Sequence, residues 1–192
     1  MSNKEPRVPM LPEAEARAIG KEAGVPSTMS GLNVFRVMSR HPTLAGVVAK
    51  QLAMLLYRGN KLDDRLRELI IMRIGWRTGA LYEWTQHWPV ALHYGLTEEE
   101  TLAVRDPDSA TCLGPAERAV IAATDDVLDD GAVSETTWQA CAEHLASDEE
   151  RLELVAAICN WNTFAILLKS LNIPLEDGVD AWPPDGVPSP DA

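Results

Sequence analysis

The sequence predicts an all-α protein folded as a single-domain helical bundle. Three observations carry that expectation. Breakers fall at regular intervals along the 192 residues. The strict polar–apolar alternation of half-buried strands is missing between them. Most intervals also carry a helix start signal, a helix stop signal, or both.

The elements follow in order. The first twenty-seven residues read as irregular, with one short helical stretch, "PEAEARAIGKEA". "SGLNVFRVMSR" is a short helix stopped by His41-Pro42. In "HPTLAGVVAKQLAMLLYRGN", Pro42 stands in the first turn and Gly59 just past the end, the usual asymmetry. "LDDRLRELIIMRIGWRTG" starts on Asp63 or Asp64, and Leu62, Leu66, Leu69, Ile70 and Ile74 form its apolar stripe. Thr78-Gly79 end it, and the next helix runs from about Ala80 to Gly95. Thr97 and Glu100 make a capping box, as do Ser147 and Glu150. "GPAERAVIAATDDVLDDG" has proline in front and glycine behind, "SETTWQACAEHLA" starts on Ser134, and Pro174 stops the last helix. The helical domain thus spans 28–173. Residues 174–192 form a tail rich in Pro, Gly and Asp, in which Trp182 is the residue worth burying.

The net charge of −12 disfavours nucleic acid and anionic membrane as partners, because both select a basic surface. No apolar run reaches the length of a membrane span, and the N-terminus lacks the apolar core of a signal peptide. The expectation is a cytoplasmic protein. Cys112, Cys141 and Cys159 have neither metal-site nor redox-dithiol spacing, and read as reduced thiols.

One stretch concentrates chemistry: "LYEWTQHWPVALHYG". Glu83 and His87 are four residues apart on a helix, so they share a face. A carboxylate against an imidazole fixes its tautomer, as a general acid or base requires. The same spacing also describes an ordinary solvated pair worth about 0.2–0.5 kcal/mol. The helix dipole favours an ionised Glu83, and burial beside Trp84 and Trp88 opposes it. Pro89 interrupts the hydrogen-bond ladder after His87 and predicts a bend. His41, His93 and His144 read as helix-end or exposed residues. No HExxH or similar spacing calls for a metal.

"RELIIMRIGWRTGALYEWTQHWPVALHYGLTEEE" resembles the core of the carboxymuconolactone decarboxylase superfamily, which includes alkylhydroperoxidase D-like proteins. The resemblance covers about Leu62 to Leu102 and implies the alkylhydroperoxidase D-like fold. One branch of that superfamily carries Cys-x-x-Cys-x-x-x-His on this helix and a glutamate on the preceding one. On this chain the glutamate is Glu68 and the histidine His87, but Ala80 and Glu83 replace the cysteines. Thiol chemistry needs a nucleophilic thiolate and a resolving thiol, so the peroxidase-type reductase is disfavoured. The decarboxylase branch has a glutamate, an aromatic residue, two variable residues and a histidine. Glu83, Trp84 and His87 match that pattern.

The resemblance therefore implies a cofactor-free acid–base enzyme, a lyase or decarboxylase acting on a small organic acid or lactone. A non-catalytic small-molecule-binding member is the alternative. His87 would carry the proton, Glu83 would orient it, and Glu68 would complete the relay through a water. Substrate contacts are sought in Arg73 or Arg58 as anion holder, in Tyr82, in the walls offered by Trp76, Trp84, Trp88 and Trp161, and in Asn160 and Asn162. Relatives assemble, so a homo-oligomer (dimer, trimer or hexamer) is expected. "LAGVVAKQLAMLLY" is a possible interface helix.

Overall fold

The computed structural model describes residues 5–179 together with 181 and 187. Trp182 lies outside the described residues. Among them the regular structure is entirely helical: α1 Glu13–Ala23, α2 Asn33–Met38, α3 Pro42–Tyr57, α4 Asp64–Thr78, α5 Leu81–His93, α6 Glu98–Ala103, α7 Pro115–Asp130, α8 Glu135–His144 and α9 Asp148–Leu171.

The caps explain these bounds. Asp63 accepts from the backbone N–H groups of Arg65 and Leu66 at 2.9 and 3.2 Å and so starts α4. Gly79 ends it in the left-handed region at φ 65°. Both capping boxes form: Thr97 with Glu100, and Ser147 with Glu150. Pro115 opens α7, and Gly131 at φ 79° closes it. α5 continues through Pro89 to His93.

The chain falls into two compact units. One takes the chain up to Asn60 and returns for Leu167–Val179; the other runs Lys61–Ile166. In the first, α1 and α3 pack closely, because Gly46 leaves room for the carbonyl of Ala23 where a Cβ would meet it. Asn33 donates its backbone N–H to Glu176 at 2.9 Å, tying the returning segment to α2.

In the second unit α4 is central, packed by α5 and α7. Here the expectation of a one-sided apolar stripe is corrected. Every residue from Leu66 to Trp76 is buried, including Arg67, Glu68 and Arg73. A helix covered on several sides must solve its polar residues internally, and α4 does so with ion pairs. Gly75 lets α5 approach: a Cβ there would stand 3.2 Å from the backbone nitrogen of Trp84.

α9 corrects a second expectation. By length and composition it is apolar enough to cross a membrane, with mean hydropathy 1.4 over its most apolar window. In this fold it buries a row made of Leu154, Ala157, Ile158, Trp161, Ala165 and Leu168. Glu153 near its start accepts from the backbone N–H groups of Lys61 and Leu62 at 2.6 and 2.8 Å.

Candidate active site

Three helices of the second unit meet at His87. Glu68 comes from α4, His87 from α5 and Trp161 from α9. Glu68 is wholly buried, and its Oε2 lies 2.8 Å from His87 Nδ1. The other carboxylate oxygen accepts two hydrogen bonds from Arg67, from Nε at 3.1 Å and from Nη2 at 2.9 Å. Arg67 is itself 1% exposed. It pairs with Asp64 as well, and its guanidinium lies over the Tyr94 ring at 5.0 Å. Burial alone would lower the Arg67 guanidinium, but the charges and hydrogen bonds of Glu68 and Asp64 outweigh it and hold it above its ordinary value.

This chain fixes the imidazole. A carboxylate already committed to an arginine only accepts, so His87 Nδ1 carries the proton and donates it to Glu68. Nε2 is left with its lone pair. It receives the indole N–H of Trp161 at 3.4 Å, a long bond, and the two rings stand edge-on at 87°. His87 thus presents one basic nitrogen on a ring whose other side is anchored in the core.

The expected Glu83–His87 pair does not form. His87 turns to α4 and takes Glu68 directly, with no intervening water needed. Glu83 is 3% exposed, and neither of its carboxylate oxygens has a hydrogen-bond partner. Burial pushes its carboxyl well above the usual carboxylate range. Between dipole and desolvation, desolvation wins.

The other sequence candidates separate clearly. Arg73 grips Asp125 with both arms, at 2.7 and 2.9 Å, and caps the carbonyl of Val104. Arg77 joins the same aspartate at 2.8 Å. Arg73 therefore ties α4 to α7 instead of offering a free cation to an anion. Arg58 is exposed just past α3. Trp76 and Trp84 pack on each other at 5.5 Å within an apolar cluster that also holds Trp88, and Arg105 lies over both rings. Tyr82 is buried. Asn160, one residue before Trp161, is buried with its amide nitrogen unpartnered; Asn162 is half-buried. His41 caps α3, His93 ends α5 against the Tyr94 ring, and His144 is exposed at the end of α8.

The residue that sequence reasoning missed is Arg67. Adjacent residues on a helix point about 100° apart, so nothing in the pattern joins Arg67 to Glu68. The available signal was Asp64 three residues before Arg67, an ordinary helical ion pair.

The thiols stand elsewhere. Cys141 is buried, donates to the Ala119 carbonyl at 3.4 Å, and is pushed up to about 11 by burial and then by the Asp126 charge. Cys159 is exposed, two residues from Trp161 and so about 200° round the helix from the face that meets His87. Cys112 packs at the edge of the tryptophan cluster. Among the described residues, no three His, Cys, Asp or Glu side chains converge as a metal would need.

Comparison with known proteins agrees with this architecture. Residues 45–126 match the model of the carboxymuconolactone decarboxylase family. No match is found among curated proteins. The chain is similar to an alkylhydroperoxidase AhpD core protein, an uncharacterised peroxidase-related protein of Ralstonia eutropha. The TM-score is 0.75 at 18% identity, over 92% of this chain and 95% of the other. A putative antioxidant defence protein AhpD of Agrobacterium tumefaciens aligns at TM-score 0.64 and 21% identity, over 72% and 96%. The debrominase Bmp8, solved as a variant in complex with 2,3,4-tribromopyrrole, aligns at 0.72 and 16%, over 92% and 95%. At these identities the structures speak for the fold. Together they show a segment, residues 45–126, that matches the carboxymuconolactone decarboxylase family, within a chain that has the alkylhydroperoxidase D-like fold.

Proposed function

We propose that the protein is a cofactor-independent acid–base enzyme, a lyase or decarboxylase acting on a small organic acid or lactone. The observation that carries this reading is the Glu68–His87 bond of 2.8 Å. It leaves a single imidazole nitrogen to take a proton from the substrate or return one. In a decarboxylation, loss of carbon dioxide leaves a delocalised carbanion that must be protonated on carbon. His87, having taken a proton from solvent on Nε2 in place of the long Trp161 contact, is the donor. Glu68 stabilises the imidazolium before the transfer, and Arg67 keeps Glu68 in place. The burial of Glu68 and Trp161 around the ring supports a dry setting for that step. A debrominase that binds a small ring on the same fold supports a small cyclic substrate.

The reductase reading finds no support in the placement of the thiols, since the cysteine nearest in sequence to Trp161 is on the exposed face of α9. A binding protein without turnover is the remaining rival. Carbon dioxide release from carboxymuconolactone by the wild type and by His87→Ala separates them. Turnover that disappears with the imidazole supports the enzyme, and a wild type that binds without turnover supports the rival. We further propose a homo-oligomer joined through the exposed apolar residues of α3, Leu44, Val47, Met54 and Tyr57. Analytical ultracentrifugation of the wild type and Val47→Glu tests it.

A further inference from the structure

One buried polar group is not used by the acid–base pair. Glu83 sits one helical turn before His87 on α5, a rise of about 6 Å. It is 3% exposed, and both carboxylate oxygens lack partners. Such a group costs stability when nothing satisfies it. Fold stability does not account for its presence, since an apolar side chain of similar shape would remove the cost. The helix holding it is the helix holding His87. A second unsatisfied donor, the amide nitrogen of Asn160, stands on α9 beside the residue that touches His87. Buried polar groups without partners thus occur on two of the helices that build the site, one turn from His87 on α5 and next to Trp161 in sequence on α9.

The charge at the site decides what such a group can meet. The two buried arginines of α4 are committed, Arg67 to Glu68 and Asp64, Arg73 to Asp125. A substrate carboxylate set against Glu83 would face another carboxyl, with those guanidinium groups already engaged. A carbonyl oxygen has no such conflict. It accepts the carboxyl O–H, which satisfies Glu83 and draws electron density toward the oxygen. Resting on the acid–base reading above, we propose that Glu83 is a second catalytic group, donating a hydrogen bond to the carbonyl oxygen of a lactone or ketone substrate whose reacting carbon faces His87 Nε2. The donated bond strengthens as negative charge develops on that oxygen, so it stabilises the enolate-like transition state. His87 and Glu83 then divide the work, one moving the proton at carbon, the other holding the oxygen.

The test uses binding as well as turnover. The probe is the unsubstituted butenolide, and its ring-opened hydroxy-acid carboxylate is the comparator. Binding of each is measured by calorimetry to wild type, Glu83→Gln, Glu83→Ala and His87→Ala. Wild type should bind butenolide more tightly than the carboxylate. Glu83→Gln keeps an N–H donor and should stay within about threefold, whereas Glu83→Ala should weaken binding by about tenfold or more. His87→Ala should still bind the lactone. Equal butenolide binding by wild type and Glu83→Ala overturns the proposal. So does a preference for the carboxylate, or failure of the wild type to bind butenolide. Failure of the acid–base reading looks different: Glu83→Ala loses butenolide, but His87→Ala leaves turnover of carboxymuconolactone intact.

Discussion

Replacing Glu83 by glutamine should stabilise the protein, and by an amount that grows with pH. The carboxyl is buried without partners, and burial holds it well above its ordinary value of 4.5. The sign follows from proton linkage. Below 4.5 the carboxyl is neutral in both folded and unfolded chains, and pH does not move stability. Between 4.5 and the raised folded value, the unfolded chain has released the proton and the folded chain has kept it. Stability of the wild type therefore falls as pH rises through that interval. The slope for one proton is about 1.4 kcal/mol per pH unit. Glutamine has nearly the same shape and does not titrate, so Glu83→Gln escapes that loss. For a chain of this length the gap in Tm should widen by about 3–5 °C for each pH unit. Thermal melts of both proteins at half-unit steps from pH 4 upward read the gap directly. A gap that stays constant with pH would refute the reasoning, because it would mean that Glu83 ionises normally in the folded protein.

Other expectations follow from the same contacts. Arg67→Met strips the buried Glu68 of its arginine, leaving only His87 against it, and should cost about 3–5 kcal/mol in urea unfolding; the double change with Glu68→Gln should recover much of that loss. Arg73→Lys breaks a two-armed grip on Asp125 and should lower stability while leaving the KM of the acid–base reaction unchanged, since Arg73 is a tie between helices. Gly75→Ala places a methyl against the Trp84 backbone, where no flexible side chain can give way; α5 must shift, and activity should drop along with Tm. In a thiol titration at neutral pH, exposed Cys159 should react first and Cys141, held at about 11, last.

The sequence made the helices legible because their ends are chemically marked. Asp63, Thr97, Ser134 and Ser147 do what cap residues do, and Gly79 and Gly131 turn the chain where no side chain is comfortable. The central position of α4 was not legible. Its charged residues look like a solvated face until α5 and α7 are seen to cover it. That one fact reassigns the site. With Glu68 inside, His87 has a buried carboxylate to bind, and the helical neighbour Glu83 is released from that role. Spacing along a helix shows which groups can meet within it. The rotation of α5 against α4 is set by packing at Gly75, and no local pattern encodes it. Arg73 illustrates the converse: a lone arginine in sequence resembles an anion holder, and only the distant Asp125 shows what holds it.

The most direct test of the account is the Glu68–His87 bond in solution. Nitrogen-15 NMR of the imidazole should find Nδ1 carrying the proton and Nε2 unprotonated, with the Nδ1 proton resonance far downfield in the wild type and lost in Glu68→Gln, where turnover should fall as well. An imidazole protonated on Nε2 with Nδ1 bare, or a Glu68→Gln variant that keeps both the signal and full turnover, would contradict it.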